Sequence, residues 1–158
     1  MTIPAFGTAT VTTAGTSSPQ KIGFAIVQSS DASKKVQPMA QIGPDLIPPS
    51  VPAALPVALP FDATGTATTT LYLYNPATSG SLTGALGVYD SNGNTLGTGS
   101  FTIVAQQQVP IVMSKTAAVF GDKKGTLYVS GSGTVLAMGI RTGSDGRLEM
   151  VMPEAVSH

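Results

Sequence analysis

Cysteine and tryptophan are both missing from the 158 residues, and histidine occurs once, at the last position, His158. Without cysteine there is no disulfide, no thiolate nucleophile and no zinc–thiolate site. A lone imidazole at a chain terminus is a poor general base and a poor metal ligand. Charge is scarce as well. Asp, Glu, Lys and Arg make up 10% of the chain, against roughly 25% in ordinary globular proteins. The 8 basic residues balance the 8 acidic ones, so no field draws in nucleic acid or an anionic membrane. No apolar run approaches the ~20 residues of a membrane-crossing helix, so no membrane span is expected. The opening MTIPAFGTATVTT has neither the basic nor the apolar stretch of a signal peptide. An exported protein of this sequence would need a leader outside this chain or another route. Nor does any stretch of roughly ten residues keep a helical period.

What the chain does contain is strand pattern. Residues 66–113 read TATTTLYLYNP and then SGSLTGALGVYDSNGNTLGTGSFTIVAQQQVPIVM. Apolar and polar residues alternate there, which puts Leu71 and Leu73 on one side of a strand and Thr68, Thr70, Tyr72 and Tyr74 on the other. Asn75-Pro76 ends that strand, because proline has no N–H to give a ladder. Leu82, Leu86 and Val88 begin another. Asn92-Gly93 predicts a type I′ hairpin turn, with 96–104 as the return strand, so the segment reads as a β-meander. Further strands are expected at 109–113, 126–130, 134–141 and 147–152, with a loop over 115–124 and a turn at Ser144-Asp145-Gly146.

Before this block, residues 3–11 and 21–27 (KIGFAIV) are strand candidates, and 36–42 is a weaker one broken by Pro38. Residues 44–60 then hold Pro44, Pro48, Pro49, Pro52, Pro56 and Pro60, half of the chain's 12 prolines. That density favours extended polyproline-II geometry and argues against a central strand. The interleaved Leu46, Ile47, Val51, Leu55, Val57 and Leu59 predict an arm that packs against its own domain or a neighbour, the competing reading being a linker. The fold class expected is all-β, an Ig-like or jelly-roll antiparallel β-sandwich with a Pro-rich extended arm. Its parts are N-terminal strands over 1–43, the arm over 44–60 and the sandwich over 61–158.

A half-repeat adds one more expectation. Ile3-Pro4-Ala5 resembles Ile103-Val104-Ala105, and Lys21-Ile22-Gly23 resembles Lys123-Lys124-Gly125. Residues 1–43 would then be the back half of a second module and would expose a sheet edge for a neighbour to pair with.

Reactive constellations are few. Ser18 and Lys21 match a bare Ser-x-x-Lys spacing, but Pro19 keeps them off the helical turn that a nucleophile pair needs. Asp90, Asn92 and Asn94 alternate like the start of a calcium loop, yet Thr95 and Phe101 stand where its glycine and glutamate belong. A hairpin turn explains them better, the alternative being a weak calcium contact shared with Asp62 or Asp122. Asp145 is expected to cap its own turn. Tyr72, Tyr74, Tyr89 and Tyr128 serve packing, a subunit interface or a sugar platform, and the lack of tryptophan weakens the last.

Taken together, TTTLYLYNP, LGVYDSNGNTLGTGSFTI and GTLYVSGSGTVLAMGIR resemble the Ig-like β-sandwich modules repeated in bacterial secreted and cell-surface proteins. The resemblance covers about 61–153 and implies a structural or adhesive role outside the cytoplasm. It brings no catalytic residue. The function expected is therefore a non-enzymatic structural subunit of an extracellular assembly (filament, appendage or surface layer), with no cofactor, metal or nucleic acid. Its partner is a further copy of itself. Interface residues expected are Ile3, Val11, Leu46, Ile47, Val51, Leu55, Val57, Leu59, Tyr72 and Tyr74. The alternatives are a virion structural or decoration protein, and a carbohydrate-binding or adhesin module with a glycan as ligand.

Overall fold

The computed structural model describes residues 53–156 continuously and, before them, 2–3, 9–12, 25, 27, 29–31, 33, 40–42 and 45–47. Most of the strands expected over 21–27 and 3–11, and hence the half-repeat, lie outside the described residues. So do Val51, Ser18, Lys21 and His158.

The described chain is all-β. Strands β1 (Ala40–Ile42) and β2 (Asp45–Ile47) pair with each other, antiparallel, and among the described residues with no other strand. The remaining strands are β3 (Ala53–Ala54), β4 (Val57–Asp62), β5 (Thr68–Tyr74), β6 (Ser81–Asp90), β7 (Thr95–Val104), β8 (Gln108–Ser114), β9 (Lys124–Gly131), β10 (Thr134–Thr142), β11 (Leu148–Val151) and β12 (Glu154–Ala155). They form two antiparallel sheets. The first runs β11-β10-β5-β8, with β3 pairing to the start of β10, and the second runs β12-β4-β9-β6-β7.

Alternation decides which side of each strand is buried. On β5, Thr69, Leu71 and Leu73 point inward and their even-numbered neighbours point outward, as the sequence predicts. The same rule buries Val57, Leu59 and Phe61 on β4, Leu127 and Val129 on β9, and Val135 and Ala137 on β10. These side chains form one core between the sheets. Gly139 is part of that fit. A Cβ there would stand 2.8 Å from Leu59 Cδ1 and 2.5 Å from the Val151 carbonyl oxygen. At one end of the core Phe61 meets Phe120 edge to face, with centroids 5.2 Å apart.

Three expectations change. First, residues 66–113 are not a meander. β5 lies in the first sheet, β6 and β7 pair in the second, and β8 returns to pair with β5. Asn75 makes the double crossing rigid. It is 3% exposed, its side chain donates to the Ile103 carbonyl (2.9 Å), and its Oδ1 accepts from the Ala77 N–H. Its backbone bonds to both Gln106 and Gln107, so the crossings β5→β6 and β7→β8 are tied side by side.

Second, the β6–β7 turn is not type I′. Gly93 has φ +82° whereas Asn92 has a negative φ, and the Gly93 N–H donates to the Asp90 carbonyl. This is the longer hairpin loop in which a type I turn is followed by one left-handed residue and a bulge. The register shift falls between Val88 and Tyr89.

Third, proline does not keep residues 57–60 out of the sheet. β4 pairs with β9 along its whole length and, through Val57 and Ala58 alone, with β12. Beyond Ala58 the outer side of β4 is an edge, where a strand tolerates proline. Val57 and Leu59 are wholly buried, so neither is free to contact a neighbour, contrary to the expectation for them. Leu55 packs against the same core.

Candidate assembly surfaces

The remaining expected interface residues belong to different segments. Ile3 is 37% and Val11 77% exposed, Leu46 and Ile47 belong to β2, and Tyr72 and Tyr74 lie on the outward side of β5. Two other surfaces stand out.

One is the outer face of the first sheet, where register builds continuous rows of side chains. Met150, Ile140, Thr70 and Val112 align across all four strands. Beside them run Met138–Tyr72–Pro110 and then Leu136–Tyr74–Gln108. On the far side lies Leu148–Thr142–Thr68–Ser114. None of these residues is charged. Val112 and Leu148 are 50% and 54% exposed.

The other is the edge of β7, whose only strand neighbour among the described residues is β6. A sheet edge offers unpaired N–H and C=O groups to any passing strand, and proteins usually blunt it with proline, charge or shortness. Among the described residues, the other three strands that end a sheet are blunted so. β8 carries Pro110, β11 has 4 residues, and β12 has 2, one of them Glu154. β7 is different. It has 10 residues, TLGTGSFTIV, with no proline and no charge.

Charged side chains gather instead at the mouth between the sheets. Lys124 Nζ lies 2.8 Å from Asp62 Oδ2, Arg147 lies 3.4 Å from Asp145, and Arg141 pairs with Glu149. With Thr64 and Ser144 they line an open cavity of about 490 Å³. Burial pushes the Asp62 carboxyl up, but Lys124 and the hydroxyl and N–H of Thr64 outweigh it and hold the pKa at about 2. Asp122 is lowered chiefly by the Gly65 N–H, 2.7 Å away. Both are therefore anions at neutral pH, satisfied by their own neighbours.

Asp90, weighed above as a calcium ligand, binds its own turn. Its Oδ1 accepts from the N–H groups of Asn92 and Asn94 (2.9 Å each), and these bonds, that of the Asn94 side chain foremost, lower its pKa. Asp145 likewise caps its turn through the Arg147 N–H. Among the described residues no three His, Asp or Glu side chains are grouped to hold a metal, and no helix is long and apolar enough to cross a membrane.

Sequence reasoning missed both surfaces. The outer-face pattern was legible on β5 alone, because adding β8, β10 and β11 to it requires the register. The β7 edge needed the strand order. Comparison with family models, curated proteins and solved structures finds no match for this chain.

Proposed function

We propose that the chain is a non-enzymatic structural subunit of an extracellular assembly, its copies joined by pairing of β-edges. The observation that carries this reading is β7, a long edge strand with none of the devices that blunt the other three edges. Exposed Thr98, Ser100 and Thr102 line its outward side, and hydroxyls of this kind stay hydrated in the free subunit without opposing an incoming strand. The carboxylates at the mouth support the non-enzymatic part. Asp62 and Asp122 are held as anions by fixed neighbours, whereas a general acid or base works best with a pKa near the working pH. A glycan ligand is less favoured, because the chain has no tryptophan to build a sugar platform beside Tyr72 and Tyr74.

The test is sedimentation and negative-stain imaging of the purified chain beside a Thr98→Lys/Ser100→Lys variant. Two lysines on β7 should shorten or abolish the assemblies while the circular dichroism of the sheet persists. Assemblies unchanged by both lysines would refute edge pairing.

A further inference from the structure

We infer that β7 pairs with β7 of a second copy, antiparallel about a two-fold axis at Ser100, so that the second sheets of two copies become one continuous sheet. This names the partner and the register of the edge pairing proposed above, and it rests on that reading. The strand itself points to its occupant. The register shift between Val88 and Tyr89 leaves Leu96 as an extra residue on β7, and such a bulge bends a strand locally. The regular part of the edge is therefore 97–104. By alternation Gly97, Gly99, Phe101 and Ile103 lie on its inward side, and Thr98, Ser100 and Thr102 on its outward side.

An antiparallel pair centred on Ser100 sets Ile103 beside the partner's Gly97 and Phe101 beside the partner's Gly99. Each large inward side chain then meets a glycine. Outward, Thr98 faces Thr102 and Ser100 faces Ser100, and hydroxyl pairs of this kind stabilise neighbouring strands. β6 and β7 already fit this way within one subunit, where Phe101 stands opposite Gly84 and Leu86 opposite Gly99. The Phe101 ring lies over Gly84, 2.6 Å from where a Cβ would be, and an aromatic over a cross-strand glycine pins register. Gly99 leaves room beside it, since a Cβ there would meet nothing nearer than Leu86 Cδ1 at 3.7 Å.

Other registers lose this fit. A slip of one residue sets inward positions against outward ones. Centring the pair on Gly99 shortens the ladder to 97–101. Centring it on Phe101 sets that ring against its own copy and Thr98 against Val104. With Ser100 at the centre, residues 97–103 on each side give about six to eight inter-strand bonds, within the roughly 5–15 of an ordinary interface. A two-fold contact closes at a dimer. The edge therefore accounts for a dimer, and any longer assembly grows from dimers through another surface.

The experiment oxidises single cysteines introduced into the full chain. The chain has none of its own, and positions 98, 100 and 102 are exposed, so each substitution leaves the core untouched. Directly opposite Cα atoms lie about 4.5–5.5 Å apart, within the reach of a disulfide. Residues four positions out of register lie roughly 14 Å apart along the strand. Ser100→Cys should therefore form a covalent dimer under mild oxidation. Thr98→Cys and Thr102→Cys should each run as monomers on a non-reducing gel, and should link to one another when refolded together.

Thr98→Cys linking to itself as readily as Ser100→Cys would mean parallel pairing or random collision, and would overturn the inference. Assemblies that Thr98→Lys/Ser100→Lys dissolves, without any Ser100→Cys link, would leave edge pairing standing and sink this register. Assemblies that survive both lysines, again without a link, would sink edge pairing and register together. A monomeric wild type whose 97–103 amides exchange as slowly as those of β9 would show that the chain covers its own β7, and both readings fail.

Discussion

The two sheets have the same inner side and opposite outer sides. Both bury alternate Leu, Val and Phe residues against one another. Outward, one row of the first sheet is Met150–Ile140–Thr70–Val112, and a matching row of the second is Ala58–Tyr128–Gly87–Thr98. The second sheet's outer face continues with Thr83, Ser100, Thr102, Thr126 and Ser130, among which stand Ala85, Tyr89 and Pro60. Among the described residues neither outer face lies between the two sheets. What separates them is side-chain chemistry, richer in hydroxyls on the second sheet and in large apolar groups on the first.

The largest effects should fall on the side where the sheets are alike. Leu71→Ala on β5 and Leu127→Ala on β9 each remove a wholly buried side chain. Each should cost about 2–5 kcal/mol in urea unfolding, the range for such truncations with their residual cavities. A cost confined to one of the two would mean that the core is not shared equally and that the comparison of outer faces starts from unlike sheets.

Smaller effects should come from the polar clasps that hold the two sheets at a fixed offset. Thr69, wholly buried on β5, reaches β4, accepting from the Asp62 N–H (3.0 Å) and donating to the Asp62 carbonyl. Asn75 does the same at the opposite end of β5, toward Ile103 on β7. Thr69→Val and Asn75→Ala each leave a buried partner unsatisfied, which costs about 1–3 kcal/mol. The two sites sit at opposite ends of the strand, so their effects should add in a double variant.

Next in size is a pH effect at the mouth. The folded Asp62 carboxyl titrates at about 2, below its ordinary 3.8. A depressed carboxylate contributes stability that is fully present above the unfolded value and is lost as pH falls toward the folded one. Stability should therefore be flat above pH 4.5 and fall by about 1 kcal/mol toward pH 2 from this group, a modest figure because Lys124 is well solvated. Asp62→Asn should remove that part of the slope in urea titrations at pH 2.5 and pH 6. An unchanged slope would show that Lys124 adds nothing at this mouth.

How much of this was legible in the sequence follows from what each signal requires. Alternation of period two is a local property, so the all-β class and the inward set on β5 could be read directly from TTTLYLY. Strand order is not local. Asn75-Pro76 marked an end, but that the chain then crosses to the other sheet depends on Asn75 reaching Ile103, twenty-eight residues away. Proline at position 60 misled for a similar reason. Its cost in a strand depends on whether a partner needs the missing N–H, and β12 stops short of it. Asn92-Gly93 gave the hairpin correctly and its type wrongly. Asp90 bonds the two amides of its own loop and stabilises a longer turn in which only glycine takes a positive φ.

The smallest expected change in stability tests the comparison most directly. Thr126→Glu puts a charge at an exposed site on β9, on the outer face of the second sheet and two strands from the β7 edge. Val112→Glu puts the same charge on the apolar face. Surface substitutions of this kind usually move stability by no more than about 0.5 kcal/mol, so thermal melts should scarcely separate the two variants. Edge pairing should not separate them either, because neither position lies on β7 and glutamate at both stays in water when the edges meet. Loss of assembly in the Val112 variant alone would show that the apolar face joins the copies, since burying a carboxylate there without a partner carries a large desolvation cost. Equal loss of assembly in both variants would show that the outer faces are not distinguished by their chemistry.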